Sequence, residues 1–484
     1  LTTANSNLLT AAEAPIQTRS AELRKELGIA DMVFFQILVV IVPEFFGTAV
    51  KAGSSHVLLW IMAIVLFFVP QAFVVSFLNR LMPLEGGLYE WARIVFNDWI
   101  GFLVAWNLWL TCTVQVAQVA LVTTTYVTYA AGPQAAWMAS NQAVLLFSSV
   151  GLLTGILMVA RAGLRLGKWV SNTGSVFTLL IVGLLVMIPF AHAARRAAPA
   201  YHPLPLVAPA LTLFSLSVFA KMTFGALSGF DTVTIFAGES RSPARNIARA
   251  TFIATPLIAL LYIFGTSSIL AFVSPEDIDI IGPIPQALRL GLGGLGMARV
   301  IAPIAILLLL TNYLCSYVTY FSANARLPMV AGWDHLLPEW FTRLHQEYKT
   351  PVNSILFMGA VSLAASVAVL FGAGNQEAFA TLQIWTWTFY GLAYLVMFAI
   401  PLLARKKLGL RPNLWLRLAA GSGFLITLLF VVMSVFPIVN VRSNWAYTLK
   451  TIFVAAGANT LGFVIYRIGS RRHRNALRVR PQTC

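Results

Sequence analysis

This sequence holds little charge. Only 10% of its 484 residues are Asp, Glu, Lys or Arg, against about a quarter in an ordinary soluble chain, while 58% are hydrophobic and the mean hydropathy is +0.79. Cysteine is almost missing: Cys112, Cys315 and Cys484 are the three, the first two inside apolar runs, and they offer no disulfide framework. Catalytic signatures are missing too. There is no His-Glu-x-x-His, no Gly-x-Ser-x-Gly and no phosphate-binding P-loop, which removes the usual grounds for a membrane enzyme or an ATP-driven pump. The run GLGGLG (291–296) follows no strand and falls in an expected outer loop, so it is not read as a dinucleotide site. His335 and His345, with Asp334 and Glu339, match no ligand spacing and read as a solvated loop, so neither metal nor cofactor is expected. The alternating strands of a lipid-facing barrel are also absent.

What the sequence does have is hydrophobic length. Apolar runs of about 20 residues recur from end to end, each long enough to span hydrocarbon, and in lipid such runs must be helices. Twelve spans are expected, at 32–52, 56–81, 99–130, 142–160, 168–191, 211–239, 250–272, 298–324, 352–371, 378–404, 414–438 and 445–466. The third, sixth, eighth and tenth exceed a straight crossing, so tilt or interruption must absorb the excess. With both termini inside, 25 of the 33 lysines and arginines fall in inner segments and 7 in outer loops. That bias sets the orientation. It also explains the net charge of +16 without nucleic acid, because the basic residues sit between spans and form no soluble basic domain. Residues 1–26 lack an apolar signal core and are expected to form a cytosolic tail, leaving the first span to direct insertion. The basic run 467–484 is expected to form a second cytosolic tail, stopping transfer and meeting lipid headgroups. Two inner segments differ from plain loops. Residues 79–99, with Gly86-Gly87 and the aromatics Tyr89 and Trp91, suggest a short re-entrant or interfacial helix, and 326–345 is a second amphipathic stretch.

Ionisable residues inside spans are functional candidates by default. They concentrate in the first span, with Glu44, and the sixth, with Lys221 and Asp231. The same two spans carry the helix breakers: Pro43 and Gly47 in VVIVPEFFGTAV (39–50), and Gly225, Ser228 and Gly229 in FGALSGFDT (224–232). A break in lipid is tolerated only where it is buried in protein or lines a cavity, and paired breaks in corresponding positions point to a transporter's binding site. Spans one and six correspond if the core is five spans plus five more. Five is odd, so the second copy would run inverted.

The motif FGALSGFDTVTIFAGESRSPARNIARA (224–250) resembles the sixth span and following loop of the amino acid–polyamine–organocation superfamily. PLEGGLYEWARIVFNDWIGFLVAWNLW (83–109) is similar to that family's first inner loop and third span, and SANARLPMVAGWDHLLPEWFTRLHQEYKTPVNSI (322–355) to its loop after the eighth span. The resemblance implies an all-α integral membrane protein: twelve helices, with a LeuT-like 5+5 inverted-repeat core (27–404, as repeats 27–191 and 211–404) broken in helices 1 and 6, and two appended helices over 405–466. It implies a secondary transporter, not an enzyme, moving amino acids or related amines by alternating access, as an ion-coupled symporter or an exchanger. The alternatives are a polyamine or cationic-amine transporter using Glu44, or a non-transporting amino-acid sensor of the same fold. A multi-pass location in the cell membrane is implied. The expected partners are a small-molecule substrate, the bilayer and, where an ion is coupled, protons. The oligomeric state stays open.

Carried onto this chain, the family's substrate cradle falls on Pro43, Glu44, Phe45, Phe46, Gly47 and Thr48, and on Phe224, Gly225, Ala226, Leu227, Ser228, Gly229, Phe230 and Asp231. Span one departs from the family's Gly-rich turn. Pro43 has no amide to offer a carboxylate, and Glu44 would repel one. Three readings of Glu44 stand side by side: it binds a cationic group, it carries a proton, or it pairs with Lys221 as a bridge or gate. Glu44, Lys221 and Asp231 are therefore the coupling or gate candidates. Proton-coupled relatives often place a lysine midway along span five, and here 175–186 has none, while Lys168 lies near the inner end. Aromatics available to a cavity include Phe46, Trp106, Trp109, Phe224, Phe230, Trp385 and Tyr390, with Gln115 as a further hydrogen-bonding candidate.

Overall fold

Pro43 decides how the chain enters the membrane. It has no N–H to continue the ladder of helix α1 (Ile29–Val40), and α2 (Glu44–Val50) restarts at 52° to it. In the computed structural model the described residues are 27–84, 86–194, 206–240, 242–370, 375–408, 412–438, 441 and 443–479. The expected tail over 1–26, Cys484 and the last residues of the basic C-terminal run lie outside them.

The described chain is helical beyond that bend. In order come α3 (Gly53–Leu81), α4 (Leu88–Val95), α5 (Asp98–Ala131), α6 (Gln142–Arg161), α7 (Leu164–Ala194), α8 (Leu213–Leu227), α9 (Pro243–Leu270), α10 (Pro283–Gly294), α11 (Ile301–Asn324), α12 (Leu327–Trp333), α13 (Val352–Leu370), α14 (Asn375–Leu408), α15 (Leu414–Met433) and α16 (Asn444–Val479). Among the described residues there is no strand, and one parallel bridge ties Leu27 to Ser240.

Ten helices are long and apolar enough to cross a membrane, and α1 with α2 make an eleventh when the bent pair counts as one span. The ninth expected span, 352–371, is occupied by α13, a 19-residue apolar helix over Val352–Leu370. The seventh helix starts earlier than expected, at Pro243, because proline at a first helical position loses nothing and turns the basic loop into helix. GLGGLG is likewise not all loop: Gly291–Gly294 end α10, and the chain turns at Gly296 with φ of 75°. The inner segment 79–99 does contain a short helix, α4, which begins after two glycines of positive φ, Gly86 and Gly87.

Burial sorts the helices. In the sixth apolar stretch, Leu213–Ala237, 78% of the apolar window is buried, against 11% for Asn444–Arg472. The chain's second broken helix is thus at the centre and its last helix is against lipid. The centre is rich in phenols: Tyr126, Tyr262, Tyr317, Tyr390 and Tyr394 are among its largest fully buried side chains. A buried phenol needs a partner for its hydroxyl, and a broken helix has loose backbone groups to offer. Tyr262 on α9 meets both needs. Its hydroxyl accepts from the Val42 amide at 3.0 Å and donates to the Val40 carbonyl at 2.9 Å, bridging the gap between α1 and α2. Its ring is held between Phe46 and Trp60, each with its centroid 4.8 Å away. Tyr262→Phe keeps the ring packing and strands one amide and one carbonyl. We expect a loss of about 1–3 kcal/mol for each stranded group, read as a lower unfolding midpoint of the purified protein in detergent. An unchanged midpoint would show that the bend closes without this hydroxyl.

Candidate functional site: two helix breaks in contact

The second break follows α8. Ser228 is extended, Gly229 has a φ of 132°, and a 3₁₀ segment, Thr232–Glu239, takes over. Only glycine adopts that φ without strain. A side chain at 229 would also press on Val39 and Val40, at 3.3 and 3.2 Å from an added Cβ, so the two breaks touch at this residue. They touch again at Gly225, where the Phe45 ring occupies the place of a Cβ.

The loose ends of the second break are closed from α14 and α3. The Tyr394 hydroxyl accepts from the Gly229 amide at 2.8 Å and lies 2.5 Å from Oδ1 of Asp231, to which it donates. Tyr390, one turn earlier, donates to the same oxygen at 2.5 Å. The Gln71 carboxamide, with its nitrogen toward Leu227, donates to that carbonyl at 2.7 Å and accepts from the Gly229 amide at 3.2 Å. The Ser228 hydroxyl turns back to the Phe224 carbonyl. Phe230 stacks on Phe68 with centroids 4.9 Å apart, and Phe224 stacks on Phe430 at 4.4 Å.

Glu44 is different. It is 2% exposed, and its Oε2 has no hydrogen-bond partner. The phenols of Tyr126, Tyr262 and Tyr317 lie within electrostatic reach of its carboxylate. Tyr126 is buried with its hydroxyl also unpartnered, while Tyr317 donates to Tyr313 at 3.2 Å. A carboxylate facing phenols in a dry centre can hold a cationic group or a proton. Asp231 instead has its Oδ1 occupied by two phenols.

Most of the sequence-proposed cradle is brought together here. Pro43 through Thr48 and Phe224 through Asp231 are all buried, and both strings meet across Gly229 and Gly225. Lys221 is not with Glu44. Among the described residues no ion pair joins the two, and the lysine donates instead to the Phe436 carbonyl. The pairing reading is corrected for that reason: the long stem points outward, into a small cavity of about 30 Å³ shared with Phe45, Thr48, Trp387 and Tyr447. Trp106 also lies elsewhere, donating to the Ala458 carbonyl at 2.9 Å as a seam between α5 and α16.

The pattern for the family described as amino acid permease matches residues 28–457, nearly all of this architecture. The chain belongs to the amino acid permease family. The permease is 24% identical to an uncharacterized transporter of Legionella pneumophila, over 86% of this chain and 90% of the other. It is 22% identical to a probable agmatine/putrescine antiporter of Lactococcus lactis, covering 78% and 77%. It is also 22% identical to a branched-chain amino acid permease of Bacillus subtilis, covering 93% and 94%. Its family and relatives make it a multi-pass membrane transporter of small molecules, with no enzyme among these relatives.

Sequence reasoning missed Tyr262, Tyr394 and Gln71 as parts of the permease's site. One signal was available. Tyr390 and Tyr394 stand four apart, as do Tyr313 and Tyr317, which puts two hydroxyls on one helix face. The inner latch was missed as well. Beneath the second break the Gly86 amide donates to the Ile235 carbonyl at 3.4 Å, and α4 carries Arg93 into a knot of acids. Arg93 lies 2.8 Å from Glu90, 3.4 Å from Asp334 and 3.8 Å from Asp98, while Tyr89 donates to Asp334. Burial alone would lower the Arg93 pKa, but Glu90 and Asp334 outweigh it and keep the guanidinium charged. Glu90 is pushed up to about 8, by burial first and then by Asp334, with Arg93 opposing.

Burial and Asp334 raise the Glu90 pKa above the ordinary carboxylate range, so a closed inner face holds this proton to higher pH than an opened, hydrated one. Closure is then fully favoured below the ordinary carboxylate value and loses that advantage as pH rises through the raised one. We expect thiol labelling of a Thr234→Cys variant, in a background without Cys484, to rise between pH 6 and 9. Adding Glu90→Gln should flatten the profile. A flat profile with Glu90 present would remove the latch from any pH response.

Proposed function

We propose that the permease is a secondary transporter for solutes bearing a cationic amine, with the ammonium group seated on Glu44. The carrying observation is that Glu44 is buried beside the first break with its Oε2 unpartnered, while the other loose groups of the two breaks described above have protein partners. A zwitterion's carboxylate finds little to hold it there. Pro43 has no amide, the Val42 amide is taken by Tyr262, and Glu44 adds a negative charge at the same place. The relatives do not decide the matter, since one carries agmatine and putrescine in its name and another branched-chain amino acids. The site chemistry favours the amine. Alternating access would turn on the two touching breaks, in a LeuT-like inverted-repeat core of residues 27–404 with helices 11 and 12 over 405–466. Twelve crossings and cytoplasmic termini belong to the same reading, with α13 as the ninth crossing, and so does a place in the cell membrane. Lys221 serves as an outer-side gate residue and Asp231 as the anchor of the second break.

The test is counterflow in proteoliposomes without an ion gradient, using labelled agmatine, putrescine, arginine and leucine. The cations should exchange, and Glu44→Gln should lower their uptake by about 10- to 100-fold, the range expected for losing one charge-assisted bond. Leucine uptake that survives Glu44→Gln would overturn the amine reading in favour of a zwitterion permease. Saturable binding without uptake would favour a sensor.

A further inference from the structure

A sizeable groove of the described chain lies outside the central site. A groove of about 980 Å³ runs between α3, α9 and α15 on the lipid-facing side, floored by Val65, Val69, Phe73, Phe252, Leu418 and Ala419. Its walls are mostly apolar, with Ser76 and Ser422 among them, and at one end the exposed Arg80 lines it beside Asn413, the cap of α15. A second arginine stands near this end without lining the groove itself: Arg249 is exposed on α9, three residues before the lining Phe252 and so on the same face. The Asn79 side chain donates to the Pro243 carbonyl at 3.0 Å, which ties the end of α3 to the start of α9. The balance of basic residues assigns this end to the cytoplasmic side.

The groove's floor is also irregular. Ile64–Phe68 of α3 form a π-turn, and the Leu66 carbonyl that it turns outward accepts from Ser422 of α15 at 2.6 Å. π-turns inside α-helices concentrate at functional sites. The other side of this one is Phe67 and Phe68, which pack on Phe224 and Phe230 of the second break at 5.6 and 4.9 Å.

We propose that this groove binds an anionic phospholipid of the cytoplasmic leaflet, with an acyl chain along the apolar floor and the phosphate at Arg80 and Arg249. Its size lies at the upper end of the roughly 300–1,000 Å³ typical of ligand sites. An apolar trench with cations at its cytoplasmic mouth is the arrangement that recognises an acidic headgroup. A second copy of this chain fits less well. In a two-fold contact about the membrane normal, each Arg80 would sit at the same depth as its mate, setting like charges together. Lipid binding does not rest on the transport reading above. Only its effect on uptake would.

The test is native mass spectrometry of the detergent-purified protein with phosphatidylglycerol or phosphatidylcholine added. The wild type should retain phosphatidylglycerol preferentially. Arg80→Gln and Arg249→Gln should each weaken that preference by about fivefold, the share expected of one basic residue near a charged lipid. Ala419→Trp, which fills the trench, should reduce retention of both lipids. Both arginines are exposed, so their removal leaves the packing intact. Equal retention of the two lipids by the wild type would overturn the proposal. So would a preference that survives loss of both arginines, or a dimer that Ala419→Trp dissociates. Proteoliposome uptake by the Arg80→Gln variant, compared in the two lipids, then reads the π-turn's link to the break separately from binding.

Discussion

An interrupted helix in a membrane must find partners for its loose backbone, and this molecule finds them in phenols. Tyr262 bridges the first break with one hydroxyl that accepts on one side and donates on the other. Tyr394 and Gln71 close the second, and Tyr390 helps to hold Asp231 beside it. Each unsatisfied amide or carbonyl buried away from water is costly, so these side chains stabilise both bends. The three helices that supply them, α3, α9 and α14, are thereby fixed around the breaks. The aromatic packing of the centre follows from that choice, since every phenol brings a ring that must be stacked.

The charges are arranged around the same constraint. Asp231 has its Oδ1 taken by two phenols, whereas Glu44 keeps one oxygen for something the protein does not supply. Lys221 reaches outward to a backbone carbonyl, and Arg93 gathers the acids at the inner face. The two buried acids therefore stand at the breaks, while Lys221 and the Arg93 cluster with its three acids stand apart from them.

Much of this was legible in the residues. Crossings are visible because a run of about 20 apolar residues has few other uses. Both breaks were visible at Pro43 and at Ser228–Gly229, because proline and glycine act locally. The closing groups were not legible. Tyr262 lies 220 residues from the amide it accepts from, and Tyr394 lies 165 from its own, so their roles exist only after the helices have packed. Lys221 misled for a related reason: two opposite charges in paired spans suggest attraction, but a long side chain meets whichever acceptor lies along its stem.

The self-closed breaks bear on how such a carrier completes its cycle. Strict one-for-one swapping needs an empty site that resists closing, because its cargo-holding groups would be left bare. In this chain the broken backbone is satisfied by its own hydroxyls and one carboxamide, so holding the two bends requires no polar atoms from a solute. Under the transport reading proposed above, the free oxygen of Glu44 is then the group through which a loaded carrier would differ from an empty one.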